Sequence, residues 1–147
     1  MQHLLFRLGE QTFAVAVTGI DVILPLPELG AIASAPDHVA GMLRYRGRWV
    51  PVLDLQILRS GEPCERVYST RIILVKEADG SLLGLLAEQV LDVASLPAGQ
   101  ALSSRVEDTD RDWLDPLVFE SEAGLVQQVN WRALLTPDLR AMGSSDA

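Results

Sequence analysis

The sequence predicts an all-β protein, and three observations carry that prediction. Short apolar runs with strand-like alternation recur between turn residues, few segments sustain a 3.6-residue period, and the order of the runs repeats in the second half of the chain. The 147 residues are 48% hydrophobic and 22% charged, which is ordinary for one globular domain. A chain of this mass withdraws about two-thirds of its unfolded surface from water, so a core forms without covalent staples. The single cysteine, Cys64, has no partner within the chain. With two separated histidines it makes no tetrahedral zinc site, so neither a metal nor a cofactor is expected.

Hairpin one is expected from residues 4–8 and 11–17 around Gly9-Glu10. Phe13, Val15 and Val17 alternate with Ala14 and Ala16, as in a strand that sends its larger face into a core. Hairpin two pairs 42–46 with 49–53 around Gly47, and Pro51 requires that its missing donor fall at an edge or a bulge. Hairpin three pairs 71–77 with 81–87 around Asp79-Gly80, a dipeptide suited to the positive φ of tight turns. Hairpin four pairs 117–120 with 125–129 around Ala123-Gly124.

Laying the halves side by side shows an internal duplication. Hairpin one leads into Ile20, Val22 and Ile23, and hairpin three leads into Val90, Asp92 and Val93, at an offset of seventy. Hairpin two ends at Asp54 and hairpin four at Asn130, each an N-cap residue for a short helix. Two such units are each marginal alone, so one domain over 1–140 is expected, with interleaved subdomains of roughly 1–70 and 71–140. Residues 59–70, with Gly61 and Pro63, read as the connector, and 141–147 as a flexible tail.

Charge narrows the function. The net charge is −8, and residues 71–147 hold thirteen acidic against six basic side chains. Such a chain repels phosphate backbones, which argues against nucleic acid as a partner. Glu107, Asp108, Asp110, Asp112 and Asp115 form a solvated acidic loop without the glycine and ligand spacing of a calcium site. The longest apolar stretch, 11–27, contains Asp21 and Pro25 and is too short for a membrane span of ~20 residues. His3, Arg7 and Glu10 interrupt any secretory leader, so a cytoplasmic protein is expected.

No constellation for catalysis is present: G-x-S-x-G, H-E-x-x-H, phosphate-loop and dinucleotide fingerprints are all missing. His38 follows Pro36-Asp37 in a turn, and Cys64 sits between Glu62 and Glu65, whose charge disfavours a thiolate. The weight moves to a binding module. The candidate surface is Arg44, Arg46 and Arg48 around the Gly47 turn, with Tyr45 and Trp49 among them, because arginine and aromatic side chains together favour protein interfaces. In a regular strand Arg44 and Arg46 share one face and can pair with carboxylates.

The run from Pro36 to Leu55 resembles the signature of CheW-type chemotaxis coupling proteins, in which a proline-led turn and a glycine precede Asn-Leu-Arg-Gly and an apolar strand with Pro-Val and Asp-Leu. Phe6-Arg7-Leu8-Gly9 with Phe13, Ile20-Asp21-Val22-Ile23 and Val90-Leu91-Asp92-Val93 extend the likeness over about residues 3 to 136. The resemblance implies two SH3-like five-stranded β-barrel subdomains of one CheW-like domain, with short helices and no enzymatic activity. It implies an adaptor that couples the cytoplasmic tip of methyl-accepting chemotaxis receptors to the regulatory domain of a CheA-type histidine kinase, associated with membrane-bound arrays through those partners. On this likeness Arg46 contributes to receptor binding, with Arg44, Tyr45 and Arg48 beside it, and Ile20 and Val22 meet the kinase. An apolar groove between the barrels receives the receptor's helical hairpin.

Departures from the family pattern bear on partner choice. Arg44 and Tyr45 stand where Asn and Leu are usual, Arg48 adds a cation, and Val22 replaces a glutamate. They fit an alternative chemosensory array. The competing reading is a stand-alone SH3-like protein-binding module outside any kinase array, and a small β-barrel enzyme ranks third.

Overall fold

The computed structural model describes residues 2–96, 112–122 and 124–145, with the backbone alone at 116, 117, 144 and 145. The first half runs β1 (Gln2–Leu8), β2 (Gln11–Ala16), a 3-10 turn at Val17–Gly19, β3 (Ile20–Pro25), β4 (Val39–Tyr45), β5 (Arg48–Leu53) and helix α1 (Leu55–Ser60). The second half repeats that order: β6 (Arg71–Lys76), β7 (Leu82–Ala87), β8 (Gln89–Ser95), β9 (Leu114–Ser121), β10 (Gly124–Val129) and a 3-10 turn at Trp131–Leu134. Helix α2 (Pro137–Met142) and a two-residue strand β11 (Ser144–Ser145) follow.

The strands form two sheets with one topology. The first has the order β8-β1-β2-β10-β9, and the second β3-β6-β7-β5 with β4 on the far side of β5 and β11 added at its end. Matching elements occupy matching places, down to the one parallel pairing in each sheet, β2 with β10 and β7 with β5. Both antiparallel edges carry an irregularity, between Leu4 and Phe6 and between Ile20 and Val22. The duplication is therefore structural. The sheets do not follow the ranges 1–70 and 71–140, however: each takes a hairpin from one half and three strands from the other. These are the two SH3-like barrels of an all-β fold.

Burial explains the exchange. Leu4, Phe6 and Leu8 of β1, Phe13 and Val15 of β2, Ile73 and Val75 of β6, and Leu83, Leu85 and Ala87 of β7 meet in one core shared by both sheets. The alternate residues Leu5 and Ala14 fill the first barrel with Phe119 and Val126, while Ile72, Leu74, Leu82 and Leu86 fill the second with Leu43, Val50 and Val52. The exchanged hairpins are thus buried on both faces, which is why they read as near-continuous apolar runs. Each fully buried leucine or phenylalanine contributes about 1.5–3 kcal/mol, so the shared core fuses two marginal barrels into one body. Gly84 lets neighbouring strands approach closely: a Cβ there would lie 2.9 Å from Val52 Cγ2 and 3.1 Å from Ile72 Cγ2.

Local details meet the sequence expectation at Pro51 and depart from it in three places. Pro51 fits because β11 reaches only Trp49 and Arg48 and β7 pairs from Val52, leaving no ladder partner on that side. Asp54 caps α1 as expected, its Oδ1 accepting from Gln56 N at 3.1 Å, but Asn130 makes no cap bond, and the segment after it is a 3-10 turn. Residues 61–70 are a tied loop, with Cys64 N donating to Asp54 Oδ2 at 2.9 Å and the buried Thr70 hydroxyl donating to Glu65 O at 2.6 Å. The stretch expected as a tail carries the end of α2 and β11 instead, because Thr136 Oγ1 accepts from Leu139 N, Pro137 opens the helix and Leu139 enters the shared core. Glu107, Asp108 and Asp110 of the acidic run lie outside the described residues. Among the described residues no helix is long and apolar enough to cross a membrane.

Candidate partner-binding surface

Hairpin β4–β5 is built by a two-residue loop. Tyr45 is opposite Arg48 and Arg44 opposite Trp49, leaving Arg46 and Gly47 at the tip with φ of 48° and 76°. Two successive positive φ values give the twist that a primed hairpin turn needs, and asparagine or glycine usually fills such positions. Among the described residues Arg46 is the only non-glycine with positive φ. Its backbone strain is about 1–2 kcal/mol.

The turn breaks the row of arginines that a regular strand would form. Strand β4 ends at Tyr45, so Arg44 and Arg46 do not share a strand face, and each guanidinium has its own setting. Arg44 lies 5.1 Å from the Trp49 ring centroid and Arg46 lies 5.3 Å from that of Tyr45, two exposed cation–π contacts of about 0.5–1 kcal/mol each. Arg48 is half-buried, and its Nη2 donates to Gly80 O at 3.0 Å, gripping the β6–β7 turn. Arg140 of α2 grips the same turn, donating to Asp79 Oδ2 at 2.6 Å and to Ser81 Oγ at 3.0 Å. The Asp79 carboxyl is held below its ordinary range mainly by hydrogen bonds from Ser81, with Arg140 adding to the effect.

Strand β3 alternates half-buried and exposed residues. Ile20 packs on the shared core and Val22 on the core of the second barrel. The face that β3 turns outward holds Asp21, Ile23 and Pro25, with Ile23 38% exposed. A period-two count over 20–25 finds this face. The Tyr45 hydroxyl donates to Asp21 Oδ2 at 3.3 Å, so the arginine hairpin and β3 adjoin.

An apolar concavity of about 250 Å³ lies beside the hairpin, lined by Gly30, Ala31, Ile32, Met42, Trp49 and Met142. It belongs to the second barrel and α2. Sequence reasoning did not include Ile32 and Met142 in the surface, although Thr136-Pro137 is a helix-start signal that points to the second of them.

Among the described residues the titratable groups do not assemble a reactive centre. Burial, reinforced by the charges of Asp54 and Glu88, pushes the Cys64 thiol up to about 12. Burial lowers His38, against the pull of Asp37. Among the described residues no three histidine, cysteine, aspartate or glutamate side chains come close enough to hold a metal ion.

Two pseudo-symmetric barrels sharing one core, with an arginine and aromatic hairpin at the surface, define a double-barrel β domain. The chain belongs to the family of CheW-like domains, which it matches over residues 2–137. It is 26% identical over 99 residues to the chemotaxis protein CheW of Klebsiella aerogenes, a match covering 67% of this chain and 59% of that protein. It is 27% identical over 94 residues to the chemotaxis protein CheW of Rhizobium meliloti, covering 62% and 58%. The chain thus matches under two-thirds of the length of these relatives. The crystal structure of the scaffolding protein TtCheW from Thermoanaerobacter tengcongensis superposes with a TM-score of 0.81 at 17% identity, covering 94% of this chain and 89% of that one.

Proposed function

We propose that the protein is a non-catalytic chemosensory adaptor that holds a chemoreceptor tip and a CheA-type histidine kinase at the same time. Membership of the CheW-like family supports the class. The observation that carries the receptor surface is Arg46, which keeps a guanidinium at a hairpin tip where glycine would remove the strain. Arg44 and Tyr45 flank it and Arg48 steadies the hairpin from behind. On the kinase side Ile20 and Val22 act mainly by packing β3 in place, and Asp21 and Ile23 offer the contact. The adaptor works in the cytoplasm and joins membrane-bound arrays through its partners. Its output is geometric: two docked proteins are held at a fixed spacing by a common core.

Pulldown of the tagged protein from its native cell tests this. Recovery of both a histidine kinase and a methyl-accepting receptor is expected, and recovery of neither would leave the stand-alone module as the account.

A further inference from the structure

A second surface, continuous with the end of β3, lies at the loop between α1 and β6. Tyr68 is 96% exposed and Val67 52% exposed, yet the loop that carries them is fixed. Thr70, itself buried, accepts from Val67 N at 2.9 Å and donates to Glu65 O at 2.6 Å. Ser69 Oγ donates to Glu88 O at 2.9 Å, and Arg71 Nη1 donates to Tyr68 O at 2.7 Å. A rigid loop presenting an aromatic side chain has little ordering entropy left to lose on binding. Beside it opens a concavity of about 400 Å³, walled by Pro25 and Leu26 from the end of β3 and by Arg66 and Arg71. Tyr68 edges that concavity without filling it.

We propose that this patch is a self-association surface, on which the Tyr68 ring of each copy enters the concavity of the other about a two-fold axis. Isologous contact requires that one patch carry both the knob and the hole, and this one does. The charges favour a second copy as occupant. The chain has a net charge of −8, so copies repel over most of their surface. Arg66 and Arg71 wall the concavity and Glu65 and Glu88 adjoin it through their hydrogen bonds to the loop; these four charges sum to zero, and a two-fold axis lets the arginines approach carboxylates while the guanidiniums receive the incoming aromatic face. The patch is small, so the dimer is weak and exchanges quickly.

Sedimentation velocity on the full chain tests this, over about a hundredfold range of concentration reaching ~0.5 mM. The mass is expected to rise from monomer towards dimer, Tyr68→Ala to stay monomeric throughout, and Arg66→Glu to weaken the dimer. The double variant Glu65→Arg/Arg66→Glu restores the balance of signs and should recover association. All three positions are exposed, so unchanged unfolding midpoints distinguish lost contact from lost fold. A wild-type chain monomeric at the highest concentration, or a Tyr68→Ala variant that dimerises as the wild type does, overturns the proposal. If the wild type stays monomeric and Tyr68→Ala instead loses affinity for the kinase regulatory domain, the patch belongs to an array contact and the dimer is refuted.

Discussion

The Tyr45 hydroxyl reaches Asp21 Oδ2 at 3.3 Å and thereby links the arginine hairpin to β3. The hairpin and β3, proposed above as the receptor-side and kinase-side segments, are neighbours on one barrel, joined by a solvent-exposed bond. An exposed bond of this kind is worth about 0.5–1 kcal/mol at most, so Tyr45→Phe should leave the unfolding midpoint nearly unchanged. Its effect is expected in coupling. Each partner alone should bind the variant within about twofold of wild type, while the change in affinity for one partner caused by the other shrinks. Calorimetric titrations with and without the second partner measure this.

Arg46 separates backbone strain from side-chain chemistry. Arg46→Gly removes a left-handed non-glycine residue and a guanidinium together, so the protein should unfold at an equal or higher urea concentration, by up to about 1 kcal/mol. Receptor-tip binding should weaken by about 0.5–1 kcal/mol, the value of a rim-exposed charge. Arg46→Lys tests the planar fork: it keeps charge and strain and should recover only part of the affinity.

Asp54 anchors the loop between α1 and β6. It is 1% exposed, and its carboxylate accepts from Gln56 N at 3.1 Å and from Cys64 N at 2.9 Å. Asp54→Ala leaves both donors unpaired and should lower stability by about 2–4 kcal/mol. Asp54→Asn keeps one acceptor and should cost less. Urea denaturation of the two variants orders them.

Cys64 is buried, and burial with the charges of Asp54 and Glu88 pushes its thiol from the ordinary 9.0 up to about 12. It should react with a disulfide reagent at pH 8 only after unfolding. Because the folded state holds the proton more tightly, this group's contribution to stability is present below pH 9 and is lost as pH rises towards 12. Cys64→Ala should therefore show a shallower alkaline loss of stability than wild type, measured by urea midpoints across that range.

Much of this was legible in the sequence, for identifiable reasons. Phe13 and Val15 do enter the larger core while Ala14 faces the other way, as the alternation of sizes implies. Asp54 announces α1, and the repeat of hairpin and capped segment announces the duplication. The exchange of hairpins was not legible, because pairing between strands far apart in the chain leaves no local trace in residue order. The orientation of Arg46 was hidden by the turn, whose positive φ takes it off the strand that Arg44 occupies. The resemblance implies that Ile20 and Val22 meet the kinase, whereas the period-two rule places them with Leu24 on the inward face.

The central claim is simultaneous docking on one rigid body, and a three-component sedimentation experiment tests it most directly. With the adaptor limiting and both a receptor-tip fragment and a kinase regulatory domain in excess, a single boundary containing all three proteins is predicted. Two separate binary boundaries, with each partner displacing the other as its concentration rises, would contradict it.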